Sequence, residues 1–128
     1  MDLLLDTHTL LWHYLDDPQL SATALALLTD PANRVFVSPA SYWEVAIKVC
    51  TKKYTLTVPF PTFIREAIHD NGFVILPVEP RHVEPVTRLE RHHNDPFDRL
   101  LIAQAIVEDM PVVGCDVAFD PYPVRRLW

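Results

Sequence analysis

Four short apolar runs constrain most strongly how this chain can fold. They occupy residues 3–5, 35–37, 73–76 and 112–113, and none of them alternates apolar with polar residues. Such runs are typical of strands that are buried on both faces of a sheet. Segments with helical periodicity lie between them, and strands that alternate with helices favour right-handed crossovers and a parallel sheet covered on both faces. We therefore predict a protein of the α/β class.

Capping signals locate the helices between these strands. Asp95 followed by Pro96 opens the clearest helix, predicted over residues 97–109, and Ser38 followed by Pro39 opens another in the same way. The other predicted elements are a helix from Thr9 that ends at residues 16–18, a helix capped by Ser21 with Leu25, Leu27 and Leu28 as its apolar positions, a helix over residues 61–69 closed by Asn71 and Gly72, one or two short helices within residues 80–91, and a last strand near residues 124–127.

Size and composition limit the class of protein. The chain of 128 residues fits one domain over residues 1–128, and no apolar stretch reaches the roughly 18 residues of a membrane span. No signal-peptide pattern opens the chain, so the expected location is the cytoplasm. The net charge of -6 argues against a simple nucleic-acid-binding module, but it does not exclude a nuclease whose acids surround metal ions. The two cysteines are expected to be buried free thiols.

Four acidic residues occupy equivalent places along this predicted topology. Asp6 follows the first strand, and Asp116 lies within three residues of the fourth. Glu44 is on the helix after the second strand, and Asp98 lies in the first turn of the helix for which Asp95 is the predicted N-cap. Ligands of parallel sheets bind beyond the carboxyl ends of the strands, and clustered carboxylates repel one another unless a cation such as Mg²⁺ or Mn²⁺ lies between them. The pattern therefore indicates metal-assisted hydrolysis of a phosphodiester.

Each acid also has a structural interpretation. Asp6 is a suitable N-cap for the helix that follows it, and Asp116 is a suitable turn residue. Glu44 is spaced to pair with Lys48 at i,i+4, or to form a capping box with Ser41, although the predicted helix start places Glu44 beyond the reach of that box. The metal interpretation rests on the four acids occurring together and in order.

Four stretches of the sequence resemble a PIN domain, and specifically a VapC-type toxin ribonuclease. They are LLLDTHTLLW, SPASYWEVAIKV, HHNDPFDRLLIAQAI and VVGCDVAFDPY, and they extend from residue 3 to residue 122. The resemblance implies a three-layer α/β/α sandwich with a central, mostly parallel sheet, and an acidic site that binds Mg²⁺ or Mn²⁺ and cuts RNA. The family's four acids correspond to Asp6, Glu44, Asp98 and Asp116, with Asp95 as a second candidate for the third position.

The resemblance also implies partners. Members of this family are typically dimeric, and a small antitoxin encoded beside the toxin usually holds it inactive, often with a basic side chain in the acidic pocket. The toxin–antitoxin complex commonly binds its own operator DNA through the antitoxin. We therefore expect a homodimer, a small antitoxin partner, an RNA substrate and no membrane association, with DNA bound only indirectly.

Several other residues have open alternatives. His92 and His93 precede Asp95 and could suggest zinc, but the chain has no HExxH motif, so structural or surface histidines are favoured. Arg99 is placed either to contact a phosphate or to neutralise the acid beside it. Tyr122, in the aromatic tail, is expected to pack rather than react.

The resulting hypothesis is a Mg²⁺-dependent endoribonuclease. Asp6, Asp98 and Asp116 hold the metal, and Glu44 binds through water or positions the attacking water. Two alternatives belong to other classes, a catalytically idle interaction module that binds an antitoxin-like partner and a receiver-like phosphoacceptor domain. The latter class usually has an acid at the end of its third strand, where this chain has Pro77.

Overall fold

The computed structural model describes residues 1–128 and contains one five-stranded sheet whose paired strands are all parallel. The strands are β1 (Asp2–Leu5), β2 (Arg34–Val37), β3 (Val74–Ile75), β4 (Val112–Val113) and β5 (Arg126–Leu127). Their order across the sheet is β3-β2-β1-β4-β5, so the first strand of the chain lies at the centre. The predicted α/β class with a parallel sheet is confirmed.

Both faces of the sheet are buried at its centre, whereas Val74 on the edge strand β3 is 45% exposed, contrary to the prediction for that run. Successive residues of β1 point to opposite faces. Leu3 and Leu5 belong to one apolar core, whereas Leu4 belongs to another. The side chains of β4 divide in the same way, with Val113 in the first core and Val112 in the second. All five are 0% exposed, and this is why the runs lack the polar alternation of a sheet with one solvated face.

Helices alternate with the strands along the chain. A π-helical segment, Arg65–His69, continues the fourth helix, and 3₁₀ turns lie at Glu84–Arg88 and Val117–Phe119. The α-helices are α1 (Thr7–Tyr14), α2 (Ala22–Thr29), α3 (Pro39–Cys50), α4 (Phe60–Ile64), α5 (Pro80–Val83) and α6 (Pro96–Glu108).

The two apolar cores assign the helices to layers. The first core is completed by α1, α2 and α4, with residues such as Leu10, Leu28 and Phe63. The second is completed mainly by α6, with Leu101 and Ile102. Helices therefore cover both faces of the sheet, which confirms the three-layer α/β/α arrangement.

Side-chain caps begin three of the helices at the predicted residues. Ser21 Oγ accepts a hydrogen bond from Ala24 N at 3.0 Å, and Ser38 Oγ accepts one from Ala40 N at 3.1 Å. Asp95 caps α6 through bonds to backbone N–H groups of its first turn. The short helices predicted after β3 and the last strand are also present.

Two other expectations about burial were wrong. Leu25 is 47% exposed, whereas Leu28, predicted together with it, is buried beside Ala24 on the inward face of α2. The two cysteines are free, as predicted, but Cys50 is exposed and Cys115 is only half-buried. None of the helices combines the length and the apolar content that crossing a membrane requires.

Candidate acidic site

Asp6 and Asp116 follow two strands that are hydrogen-bonded neighbours in the middle of the sheet. β1 and β4 are paired in parallel with Leu5 opposite Val113, so both strands end at the same edge. Asp6 N donates to Val113 O at 3.1 Å and continues the hydrogen bonding between the strands. The carboxyl edge of the sheet therefore brings together two of the predicted site acids that are far apart in the sequence.

The Asp6 side chain is buried and caps α1. Its Oδ1 accepts a hydrogen bond from Thr9 N at 2.8 Å, so the predicted capping interpretation is confirmed. Burial raises the pKa of Asp6, hydrogen bonding to Thr9 opposes this rise, and the charge of Asp116 adds to it. Because the cap uses Oδ1, Oδ2 remains available for another ligand.

Gly114 leaves the space in which the Asp6 carboxylate lies. A Cβ atom at position 114 would lie 2.7 Å from Asp6 Cγ, which is closer than real Cβ atoms approach other atoms. Any side chain here would displace the carboxylate from the end of β4. The pattern of acids does not identify Gly114 as part of the site. The one available signal in the sequence is that glycine is rare here, with only two in the chain.

Glu44 extends from α3 toward the start of α1, where Asp6 is the cap. Thr7 Oγ1 donates to Glu44 Oε1 at 2.8 Å, and Lys48 Nζ lies 3.0 Å from Oε2. The predicted i,i+4 pair with Lys48 is therefore confirmed. The capping box is excluded because Ser38 begins the helix and Glu44 lies beyond its first turn. Glu44 is 9% exposed, so both contacts are largely shielded from water.

Asp95 caps α6, as predicted, whereas Asp98 has no capping role. Asp95 Oδ1 accepts from Phe97 N at 2.9 Å and from Asp98 N at 3.1 Å. Burial, together with repulsion from the carboxylates of Asp95, Asp116 and Glu44, raises the pKa of Asp98 to about 6. Acids from separate segments of the chain therefore act on Asp98 electrostatically.

Asp116 is the exposed member of this group. Its Oδ1 accepts from Ala118 N at 2.9 Å and begins the 3₁₀ turn Val117–Phe119, which confirms its predicted turn role. Its negative charge raises the pKa of both Asp6 and Asp98. The acidic site, defined as Asp6, Glu44, Asp98 and Asp116, thus lies at one edge of the sheet and opens to solvent at Asp116.

The chemistry of these donors fits a hard divalent cation. No group of three or more His, Cys, Asp or Glu side chains is placed so that together they could hold a metal ion. The raised pKa values of Asp6 and Asp98 reflect burial and mutual repulsion, which a cation would relieve. The acids are therefore not assembled into a coordination shell, although the carboxylate oxygens of Asp6, Asp98 and Asp116 are the ligand type that Mg²⁺ and Mn²⁺ prefer.

The two histidines before α6 contact different acids. His92 Nε2 lies 2.9 Å from Glu90 Oε2, and His93 Nε2 lies 3.2 Å from Asp98 Oδ2. They do not form a zinc site with neighbouring ligands. His93, for which the sequence favours a structural or surface role, thus contacts a member of the acidic site.

Arg99 makes its contacts away from the carboxylate of its neighbour in sequence. Its guanidinium donates to Leu89 O at 2.9 Å, to Glu90 O at 2.8 Å and to the Tyr122 hydroxyl at 3.2 Å. Arg99 is buried, at 5% exposed. It therefore stabilises the segment before α6 rather than neutralising Asp98 by direct contact.

Comparison with known protein families classifies the chain. Its sequence matches the PIN domain family over residues 3–123. The chain belongs to the PIN domain family. The match spans all four acids of the site and confirms the resemblance at the level of the family. A search of curated proteins found no match for this PIN domain.

Solved structures with the same fold include toxin–antitoxin proteins. VapBC2 from Rickettsia felis, in a structure with a DNA fragment from the VapBC2 promoter, matches with a TM-score of 0.74 and 17% identity. The match covers 99% of this chain and 98% of that chain. FitAcB from Neisseria gonorrhoeae matches with a TM-score of 0.66 and 18% identity, over 98% of this chain and 96% of that chain. VapBC-5 from Mycobacterium tuberculosis, a member of the VapBC family of toxin-antitoxin systems, matches with a TM-score of 0.62 and 17% identity, over 98% of both chains. At these identities the likeness establishes the fold.

Proposed function

We propose that this PIN domain is a Mg²⁺- or Mn²⁺-dependent endoribonuclease and the toxin of a toxin–antitoxin pair. PIN domains are generally nucleases. The observation that carries the proposal is the placement of acids from separate segments at the carboxyl edge of the sheet, where β1 and β4 end together before Asp6 and Asp116 and where Glu44 bonds to the first residue of α1. An uncompensated group of acids costs stability, and a bound cation offsets that cost.

Each acid has a distinct role in the proposed mechanism. Asp6, Asp98 and Asp116 would hold the cation, which would supply positive charge to the phosphate oxygens. Glu44 binds the cation through water or positions the attacking water, while Thr7 and Lys48 fix its carboxylate. In-line attack of the water oxygen on phosphorus breaks the P–O3′ bond, the departing 3′ oxygen takes a proton from solvent, and the products are a 3′-hydroxyl and a 5′-phosphate. The carboxylate of Asp6 is oriented by its cap bond to Thr9, so one oxygen keeps a fixed direction toward the site.

An apolar groove beside the acidic site supports the proposed antitoxin partner. The groove has a volume of about 510 Å³, and its lining includes Tyr42, Trp43 and Phe60. Trp43 is 60% exposed, although its ring also packs edge-on against Phe97 at 5.3 Å between centroids. Trp43 and its contact Phe97 precede Glu44 on α3 and Asp98 on α6, so the groove borders both helices that carry acids of the site.

Two further partner proposals follow from the family resemblance. The PIN domain forms a homodimer, and the toxin–antitoxin complex binds operator DNA through the antitoxin. The net charge of -6 supports the second proposal, since the toxin itself lacks the basic excess of a DNA-binding module.

RNA cleavage by the purified, partner-free protein tests the proposed activity. A mixed cellular RNA pool is incubated with Mg²⁺, with Mn²⁺ or with a chelator, beside Asp6→Asn prepared identically. Asn also caps helices well, so the fold is retained while one anionic metal ligand is lost. We expect discrete, metal-dependent products and a loss of roughly 100-fold or more in Asp6→Asn.

Asp2→Asn is the matched control, because Asp2 begins the same strand and instead pairs with Arg34 at 2.6 Å. It should cleave like the wild type. Equal cleavage by wild type and Asp6→Asn would contradict the mechanism. A wild type that neither cleaves RNA nor binds Mn²⁺ in calorimetry would instead support the catalytically idle interaction module.

A further inference from the structure

A buried tyrosine hydroxyl connects the segment before α6 to the acidic site. Tyr122 is 3% exposed, and its hydroxyl has three hydrogen-bond contacts within the protein. Arg99 Nη1 lies 3.2 Å from this oxygen, the backbone N of His93 lies 3.2 Å from it, and His93 Nδ1 lies 2.7 Å from it. The same imidazole ring reaches Asp98 through its other nitrogen.

The donors around Tyr122 determine where the His93 ring carries its proton. A phenolic oxygen has two acceptor lone pairs and one proton. The guanidinium of Arg99 and the backbone N–H of His93 are obligate donors, so they occupy both lone pairs. The tyrosine proton then remains for His93 Nδ1, which must accept it. A neutral imidazole whose Nδ1 accepts has its proton on Nε2.

This proton assignment gives the contact with Asp98 a direction. His93 Nε2–H donates to Asp98 Oδ2 at 3.2 Å. Asp98 Oδ1 has no such partner, so one oxygen is fixed by the protein and the other remains available. Arg99 follows Asp98 on α6, and its guanidinium is fixed by hydrogen bonds to Leu89 O and Glu90 O. The network that runs from Arg99 through Tyr122 and His93 to Asp98 therefore begins and ends in the first turn of α6.

We propose that His93 is a positioning residue for Asp98, held as the Nε2–H tautomer by the Tyr122 hydroxyl. It holds Oδ2 of the carboxylate, so that Oδ1 is left free to act as a ligand. The inference rests on the proposed function, because it assigns a partner to one of the proposed metal-holding acids. Groups that orient metal ligands in this way typically contribute 10–100-fold to metal affinity.

Nitrogen-15 NMR of the His93 ring tests the tautomer without any metal or substrate. At a pH where the ring is neutral, we expect Nε2 to be protonated and Nδ1 to be an unprotonated acceptor. Tyr122→Phe removes the donor to Nδ1 and should abolish this preference. A proton on Nδ1 in the wild type would overturn the network.

Mn²⁺ affinity measured by calorimetry tests the positioning role. His93→Ala should weaken Mn²⁺ binding about 10-fold, because Asp98 loses its orienting donor. His93→Gln retains an N–H group near the position of Nε2 and should stay within about threefold of the wild type. His92→Ala is the matched control, since His92 also packs edge-on against Tyr122 but pairs with Glu90.

The outcomes separate this inference from the proposed function. If the wild type binds Mn²⁺ and His93→Ala binds it equally well, the positioning role is wrong and the nuclease proposal stands. Equal weakening in His92→Ala and His93→Ala would also overturn it, because the effect would then come from the aromatic packing. If the wild type binds no Mn²⁺, the proposed function fails and the positioning role fails with it.

Discussion

Helix α6 has a histidine–carboxylate pair near each end, and the two pairs behave in opposite ways. Near its start, His93 contacts Asp98 at 3.2 Å. At its end, His82 Nε2 contacts Glu108 Oε1 at 2.8 Å, while His82 Nδ1 accepts from Glu79 N at 3.0 Å. In both pairs Nδ1 has a hydrogen-bond donor and Nε2 faces a carboxylate, so the local arrangement is the same.

The neighbours of each carboxylate account for the difference. Hydrogen bonds from His82 and Arg81 lower the pKa of Glu108 despite some burial. Burial and repulsion from other acids raise the pKa of Asp98 to about 6, although His93 opposes the rise. The pair at the end of α6 therefore stabilises the ionised acid, whereas the pair at its start leaves an acid whose ionisation is unfavourable without a cation. Chemically similar pairs thus serve the fold at one end and suit a ligand site at the other.

The largest difference should be in catalysis. Asp98→Asn removes a proposed metal ligand and should lower the rate of RNA cleavage by roughly 100-fold or more. Glu108→Gln, at the other end of the same helix, should cleave within about twofold of the wild type. Single-turnover cleavage of one defined product band measures both variants. A comparable loss in Glu108→Gln would mean that the two ends are not functionally distinct.

For the free energy of unfolding, the histidine at the end of α6 should matter more than the one at its start. His82 is 0% exposed, so His82→Ala leaves a cavity and removes the partner of Glu79 N and Glu108. We expect a loss of about 2–4 kcal/mol in the free energy of unfolding. His93→Ala, at a partly exposed position, should cost about 1 kcal/mol or less. Urea denaturation measures both, and similar losses would contradict the division between a structural and a positioning histidine.

The raised pKa of Asp98 predicts a pH-dependent gain in stability when its charge is removed. The folded protein holds this proton more tightly than the unfolded chain, so ionisation between pH 3.8 and about 6 costs folding stability. In the absence of metal, Asp98→Asn should therefore be more stable than the wild type by about 1–2 kcal/mol above the folded-state pKa. The gain should disappear below pH 3.8. Thermal unfolding across this range, in chelator, measures the difference, and a gain independent of pH would have another cause.

The lowered pKa of Glu108 predicts the opposite and smallest effect. Its ionised form is favoured by folding, so the stabilisation is present above the ordinary pKa of 4.5 and is lost as the pH falls through the lowered folded-state value. Glu108→Gln should therefore be less stable than the wild type by under about 1 kcal/mol at neutral pH. The two proteins should converge in acid. Urea midpoints at several pH values test this, and a gap that widens in acid would contradict the assignment.

Local sequence signals predicted most of the fold. The N-caps Ser21, Ser38 and Asp95 lie where expected because each bond is made within a few residues of the cap. The apolar runs predicted the strands because a parallel sheet buries both of its faces. Leu25 was misplaced because the side of α2 that faces the sheet depends on packing between distant segments.

The candidate site could be predicted only as a set of acids at one edge of the sheet. The topology of parallel strands places Asp6 and Asp116 at the same edge without any further information. Gly114 and His93 could not be identified in this way, because their importance depends on contacts with Asp6 and Asp98 that only the folded structure defines. The roles of the acids in metal binding and catalysis stay predictions.

The central position of β1 has a consequence for when the protein becomes active. β1 is synthesised well before its neighbour β4, with which it pairs Leu4 to Val112, and Thr9 Oγ1 bonds to Val113 O across the sheet. Pairings between such distant segments form late in folding, and during synthesis the amino-terminal part emerges first. Asp116 and Tyr122 follow β4 and emerge later still. A nascent chain that lacks these residues therefore has an incomplete acidic site, and the proposed nuclease stays inactive until the segment after β4 has been synthesised and packed.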